Sequence, residues 1–258
     1  MNDRHEALAA IVAAFSQAGV DGWLHALDID GSACIGYRSD QVCASASTLK
    51  VGILVTLMRA VAAGEVSLGE QVTIPAAGRA AGPTGLSAMT YDAQLAMRDL
   101  AQLMIAVSDN CATEILLSRV SPERVTATMR ELHLMGTAME ETPSQAYQRL
   151  SAPAPGPAPE LRPETTPWRT TAADMCSLLK QIWTDEAAPA ALCEEMRTIL
   201  RSSVLPEGLD SDFPIDVQAH TASKSGGLWY IDGEKPGTTL VVRNDVGVIQ
   251  YPDGGRGP

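Results

Sequence analysis

Two of the four lysines in this chain stand in short polar words that lie far apart: Ser47-Thr48-Leu49-Lys50 and Lys224-Ser225-Gly226. A third word, Ser108-Asp109-Asn110, falls between them. If the three words share one task, the fold must return three distant segments to a single place, and that restricts it more than any local propensity does. Each word alone is weak. With 18 serines and four lysines in 258 residues, about 0.3 S-x-x-K matches are expected by chance. A second match, Ser177-Leu178-Leu179-Lys180, lies after S-D-N inside an amphipathic run, and reads as chance with Lys180 on a solvated face. Ser47 instead precedes S-D-N and stands at a loop-to-helix junction, where a nucleophile can be exposed.

The chemistry of the words is complementary. A serine hydroxyl is a poor nucleophile until a base takes its proton. Residues three apart share a helix face, so Ser47 at a helix start sets Lys50 one turn along. Lys50 serves as a base only with a lowered pKa, and burial and a second cation both favour the neutral amine. Lys224 is the candidate second cation, and it also attracts an anionic substrate. Ser108 is placed to relay a proton to a leaving nitrogen or oxygen. Asn110 can hold a substrate amide or the Lys50 amine, and Asp109 is expected to brace its loop. Ser225 is the candidate for a substrate carboxylate. Backbone N–H groups near Ser47 and Gly227 are candidates for an oxyanion hole. Gly226 and Gly227 suit a strand that a ligand approaches closely.

S-x-x-K, S-D-N and K-[ST]-G in this order resemble the class A β-lactamase-like serine hydrolases, within the penicillin-recognising enzymes. The resemblance extends to Thr84-Gly85, to Met97–Thr113 leading through S-D-N, to Leu134-Met135-Gly136-Thr137 and Thr170–Met175 flanking an omega loop, and to Arg243–Ile249. It implies an acylating Ser47, a base Lys50, a relay Ser108, and Lys224 and Asn110 in the site. It also implies a K-S-G strand with Ser225, Gly226 and Gly227 lining the substrate. Arg243 falls where some members carry a carboxylate-binding arginine. The implied fold is a mixed α/β (α+β) sandwich with an antiparallel sheet plus an all-helical lobe, β-lactamase/transpeptidase-like. Residues 1–45 and 205–258 would form the sheet lobe and 46–204 the helical lobe.

Three departures stand out. The family clears its acyl-enzyme with a glutamate heading an E-x-x-L-N word. The counterpart here is Ala158-Pro159-Glu160-Leu161-Arg162, with Ala158 at the glutamate position. Glu160 or Glu164 could be displaced into the role, but both sit among prolines that restrict the backbone. The link Leu228–Thr239 is long, with an Asp232-Gly233 turn signal suited to an extended hairpin. Last, a typical member continues past Gly254–Pro258 into another strand and a terminal helix, so a missing segment or a partner is expected at that sheet edge.

Net charge is −12 and pI about 4.7, which argues against nucleic acid and anionic membrane as partners. No run of about 18 apolar residues is present, and no leader is visible at the start. The expected location is therefore the cytoplasm, or the periplasm or medium for a trimmed chain. Five scattered cysteines read as reduced thiols, and neither they nor the four histidines show metal-ligand spacing. No cofactor or metal is expected.

Helices are expected at 3–18, 47–63, 95–107, 112–120, 122–133, 171–183 and 189–201. Strands are expected at 23–29, 33–37, 219–226 and 239–251, and the proline-rich stretch 151–167 as a loop. The functional expectation is a serine acyl-transfer enzyme acting on a small lactam, ester or amide, with carboxylate-bearing substrates among the candidates. A biosynthetic acyltransferase, esterase or amide-forming enzyme on the same scaffold is the first alternative. A non-catalytic binding protein that kept the pocket is the second.

Overall fold

A computed structural model describes residues 2–31, 33–151, 166–204, 208–209, 220–231 and 239–251. The chain opens with α1 (Asn2–Ala18) and a hairpin of β1 (Leu24–Leu27) and β2 (Cys34–Tyr37), paired from Leu24↔Tyr37 to Leu27↔Cys34. A short β3 (Cys43–Ala44) and a 3-10 turn (Ala46–Leu49) lead into α2 (Lys50–Ala62). Next come β4 (Gln71–Ile74), a 3-10 turn (Gly85–Ala88) and β5 (Ala93–Ala96). Then follow α3 (Met97–Ala106), α4 (Asn110–Val120), α5 (Pro122–Glu131), β6 (Ala138–Met139) and α6 (Pro143–Ser151). The remaining elements are β7 (Trp168–Thr170), α7 (Ala172–Trp183), α8 (Ala190–Arg201), β8 (His220–Ile231) and β9 (Thr239–Gln250). The architecture is mixed α/β, with small antiparallel sheets.

Helix α2 is apolar on every side, and such a helix belongs in an interior. Val51, Ile53, Leu54, Val55, Leu57 and Met58 are fully buried. It packs against α3, α4, α5 and α8. At Gly52, an added Cβ would come 3.2 Å from Met129 Sδ, so the glycine lets α5 approach closely. The helix ends as its sequence foretells. Gly64 takes φ +72°, its N–H bonds Val61 O at 3.0 Å, and Glu65 N bonds Ala60 O at 3.0 Å. That pattern is a Schellman stop, which glycine enters without steric cost. Start signals hold as well: Ser121 Oγ accepts from Arg124 N ahead of Pro122 in the first turn, and Thr171 Oγ1 accepts from Asp174 N.

The differences from expectation lie mostly where local signals are short. The helix expected at 47–63 begins as a 3-10 turn over Ala46–Leu49. Leu95 and Ala96, expected in a helix, pair with Val72 and Gln71. That hairpin was not expected, because residues 75–92 separate its strands and no tight turn announces it. Strands β3, β7 and β6 form a three-stranded sheet from segments of two or three residues, too short to show a period. The polar helix α6 also went unread. Strand β8 runs past 226 to Ile231, and its ladder with β9 continues from His220↔Gln250 to Ile231↔Thr239. This fits the extended hairpin expected over the long link. Asp232-Gly233, Glu160, Glu164 and the last residues of the chain lie outside the described residues.

Candidate active site

The three words meet. Lys50, fully buried at the start of α2, donates to Ser108 O at 2.7 Å, Ser108 Oγ at 3.1 Å and Asn110 Oδ1 at 3.0 Å. A neutral amine has two N–H bonds and one lone pair. The carbonyl of Ser108 and the amide oxygen of Asn110 can only accept, so they take the two N–H groups. The Ser108 hydroxyl can accept a third N–H from an ammonium or donate to the lone pair of a neutral amine. Complete burial, not the hydrogen-bond set, is what favours an uncharged Lys50. Its pKa lies well below the ordinary lysine value, chiefly through burial and then through the charge of Lys224, with Asp109 opposing. Ser47, half-buried, stands three residues earlier, and in a 3-10 turn side chains at that spacing eclipse.

The S-D-N turn is held by its middle residue. Fully buried Asp109 accepts from Leu86 N at 2.6 Å, Cys111 N at 2.8 Å and Ala112 N at 3.2 Å, and from Ser87 Oγ at 3.3 Å. It thus caps α4 and binds the turn carrying Thr84-Gly85, so its expected bracing role has a concrete form. Gly85 is left-handed (φ +58°), and any Cβ there would run into the Asp109 carboxylate. Ser108 also lies in the left-handed region (φ +58°), unusual without glycine. Its carbonyl and hydroxyl both reach Lys50 from that conformation. Asn110 Nδ2 donates to Ala81 O at 3.0 Å, tying the same loop to α4.

Strand β8 brings the third word. Lys224 is fully buried, donates to Ser225 O, and has its pKa lowered to about 8 by burial, with Asp245 opposing. Gly226 presses on the segment that carries Ser47. A Cβ at Gly226 would lie 2.9 Å from Ser47 N, 2.9 Å from Thr48 N and 3.1 Å from Ser45 O, so only glycine allows this approach. Gly227 follows on the exposed parity, opposite Arg243. Ser225 pairs with Asp245, and Arg243 is exposed on the same parity as Ser225 and Gly227. Sequence reasoning missed Asn244, which faces the buried side and donates to Ala44 O at 2.6 Å. A signal was available: Asn244 interrupts the alternate positions Val242, Val246 and Val248, the buried parity of an otherwise apolar strand.

The segments on either side of residues 152–165 are stitched together. Asp174 Oδ2 accepts from Gly136 N at 2.9 Å and Thr137 Oγ1 at 2.8 Å, and Thr137 Oγ1 meets Thr170 Oγ1 at 2.8 Å. Nearby, β6 pairs with β7, Glu140 N bonds Pro167 O at 2.9 Å, and Arg169 pairs with Glu140 at 2.5 Å. Trp168 O in turn accepts from Ser45 N at 3.0 Å, linking β7 to the segment that carries Ser47. Among the described residues no group of three or more His, Cys, Asp or Glu could hold a metal, and no helix is long and apolar enough to cross a membrane.

A family model described as the beta-lactamase enzyme family matches residues 3–256. The chain belongs to the beta-lactamase enzyme family. Among solved structures, a beta-lactamase from Sphaerobacter thermophilus superposes with TM-score 0.77 at 26% identity, covering 96% of this chain and 84% of that one. A point mutant of PBP-A, solved as its acyl-enzyme complex with penicillin G, superposes with TM-score 0.76 at 23% identity, covering 98% and 84%. A curated relative from Streptomyces cacaoi, described as beta-lactamase regulatory protein BlaB, is 26% identical over 93% of this chain and 83% of its own length. Family membership makes this a beta-lactamase-like serine hydrolase at the level of reaction class, with the beta-lactamase and penicillin-binding-protein fold.

Proposed function

We propose that the protein forms an acyl-enzyme on Ser47 with a small lactam, ester or amide, and that a substrate carboxylate is held by Lys224 and Ser225. The observation that carries this reading is the fully buried Lys50 amine, held against Ser108 and Asn110, with its pKa lowered by burial and by Lys224. Ser47 Oγ attacks the carbonyl carbon while its proton passes to Lys50. The negative charge collects on the carbonyl oxygen, facing the N–H groups of Ser47 and Gly227. The carbon–nitrogen or carbon–oxygen bond then breaks, and the proton returns through Ser108 to the leaving atom. Arg243 is a secondary candidate for the carboxylate, reaching it from the exposed parity of the hairpin.

A second reading is favoured by Ala158 at the counterpart of the deacylating glutamate. In it the adduct persists, and serves a transferase or a sensing role instead of rapid hydrolysis. Glu160 and Glu164 are the residues to test if hydrolysis occurs. Incubation with a fluorescent penicillin and a chromogenic cephalosporin, followed by turnover and intact mass, decides between these outcomes. A stable mass adduct, absent in Ser47→Ala, is expected. Rapid Ser47-dependent turnover would replace the persistent-adduct reading with a working lactamase. No adduct with either compound would turn attention to other esters and amides or to a binding role.

The Lys224 ammonium gives a pH signature. Below about 8 it is a cation, and above that it loses its charge. Acylation by a penicillin with a free carboxylate is expected to fall on the alkaline side, approaching roughly tenfold per pH unit. The methyl ester of the same penicillin should show no such limb. An identical limb with both compounds would assign it to another group. Stability moves the other way. The unfolded chain holds more protons than the native one between about 8 and the ordinary lysine value of 10.5, so stability rises with pH across that window.

A further inference from the structure

We infer that Asn244 is a positioning residue that fixes the distance between the two halves of the oxyanion hole. This rests on the acyl-enzyme reading above. One half, Ser47 N–H, belongs to the segment that leaves β3 at Ala44. The other, Gly227 N–H, belongs to the β8–β9 hairpin. The two halves come from parts of the chain that no continuous strand joins. Asn244 Nδ2 spans them directly, donating to Ala44 O at 2.6 Å from the position opposite Gly226. The atom facing a carbonyl oxygen must be the amide nitrogen, because a carbonyl only accepts.

The segment needs such a tether. Ala46 stands in the left-handed region at φ +46°, a conformation that costs an alanine of order 1–3 kcal/mol and persists only when its surroundings impose it. Ser45 is fully buried, and its Oγ has no hydrogen-bond partner, so the side chain of that residue does not anchor the strap. What holds the strap is backbone on one side, through Ser45 N to Trp168 O, and the hairpin on the other. On the hairpin side Gly226 supplies close contact, which sets a minimum distance, and Asn244 supplies the hydrogen bond, which sets a maximum. An oxyanion hole works only when both donors meet one oxygen at about 2.7–3.1 Å. A slack strap would leave the pocket able to bind a substrate and poorly able to stabilise the tetrahedral intermediate.

The test compares Asn244→Leu and Asn244→Ala with the wild type and with Thr126→Ala. Leucine nearly matches asparagine in volume, lacks the donor, and sits among valines on the buried parity, so Asn244→Leu is expected to fold. Thr126→Ala is the control, because it removes another side-chain-to-backbone tether, to Met139 O and N at 2.8 and 2.9 Å, away from the strap. The concentration dependence of labelling by fluorescent penicillin separates the acylation rate constant from pre-covalent binding. Both Asn244 variants should lose about 30-fold or more in the rate constant, with pre-covalent affinity changed less than about threefold. Affinity for a phenylboronic acid, whose adduct is tetrahedral, should fall in parallel. Asn244→Gln, which keeps the donor, should recover part of the rate. The inference is overturned if Asn244→Leu acylates at the wild-type rate constant, or loses no more than Thr126→Ala at equal thermal stability. A wild-type protein that takes neither penicillin nor boronate would remove the acyl-enzyme reading, and this inference with it.

Discussion

Lys50→Met is expected to cut the acylation rate constant with a fluorescent penicillin by about 1,000-fold, within the range that a general base contributes. Methionine preserves the length and removes the amine. The amine is central to the site because, among the described residues, it is the group bonded to both ends of the S-D-N turn, at Ser108 and Asn110. Folding should survive, since the buried position suits an apolar side chain and α2 is mostly apolar around it. Circular dichroism and a melting curve would document that. Labelling within tenfold of the wild type would mean that another group takes the Ser47 proton.

Asp109→Ala is expected to destabilise the protein by roughly 3–5 kcal/mol, measured by urea unfolding. Three buried backbone N–H groups, of Leu86, Cys111 and Ala112, would lose their acceptor together. An unsatisfied buried donor costs about 1–3 kcal/mol, and the effects of neighbouring donors do not add fully. Asp109→Asn keeps one acceptor oxygen and should cost less. It also removes the charge that holds the Lys50 pKa up. The amine then stays neutral to lower pH, so the acid limb of the acylation profile should shift downward. A stability change below 1 kcal/mol for Asp109→Ala would show that water or a rearranged loop satisfies those donors.

The site was legible in the sequence because its chemistry demands residue types that are rare in combination. Three polar words in a fixed order predict their own convergence, and Lys50, Ser108 and Asn110 do converge. Helix limits written in local chemistry were legible too, as at Gly64 and at Ser121-Pro122. The features that escaped are imposed from a distance. Nothing in Ala46 or Ser108 announces a left-handed backbone, because the contacts that enforce it come from other segments. Strands β3, β6 and β7 are bridges of two or three residues, below the length at which alternation can be seen. The role of Asn244 depends on a register, Gly226↔Asn244, that exists only once β8 and β9 are paired.

The stitched base between β6 and β7 has an evolutionary consequence. Its bonds run between Gly136–Glu141 and Pro167–Asp174, so the intervening segment is a cassette closed by residues outside it. Variation inside the cassette can accumulate while Lys50, Ser108 and Asn110 keep their positions. On the proposed acyl-enzyme reading, the capacity to take an acyl group and the lifetime of that group would then be carried by separable stretches of the sequence.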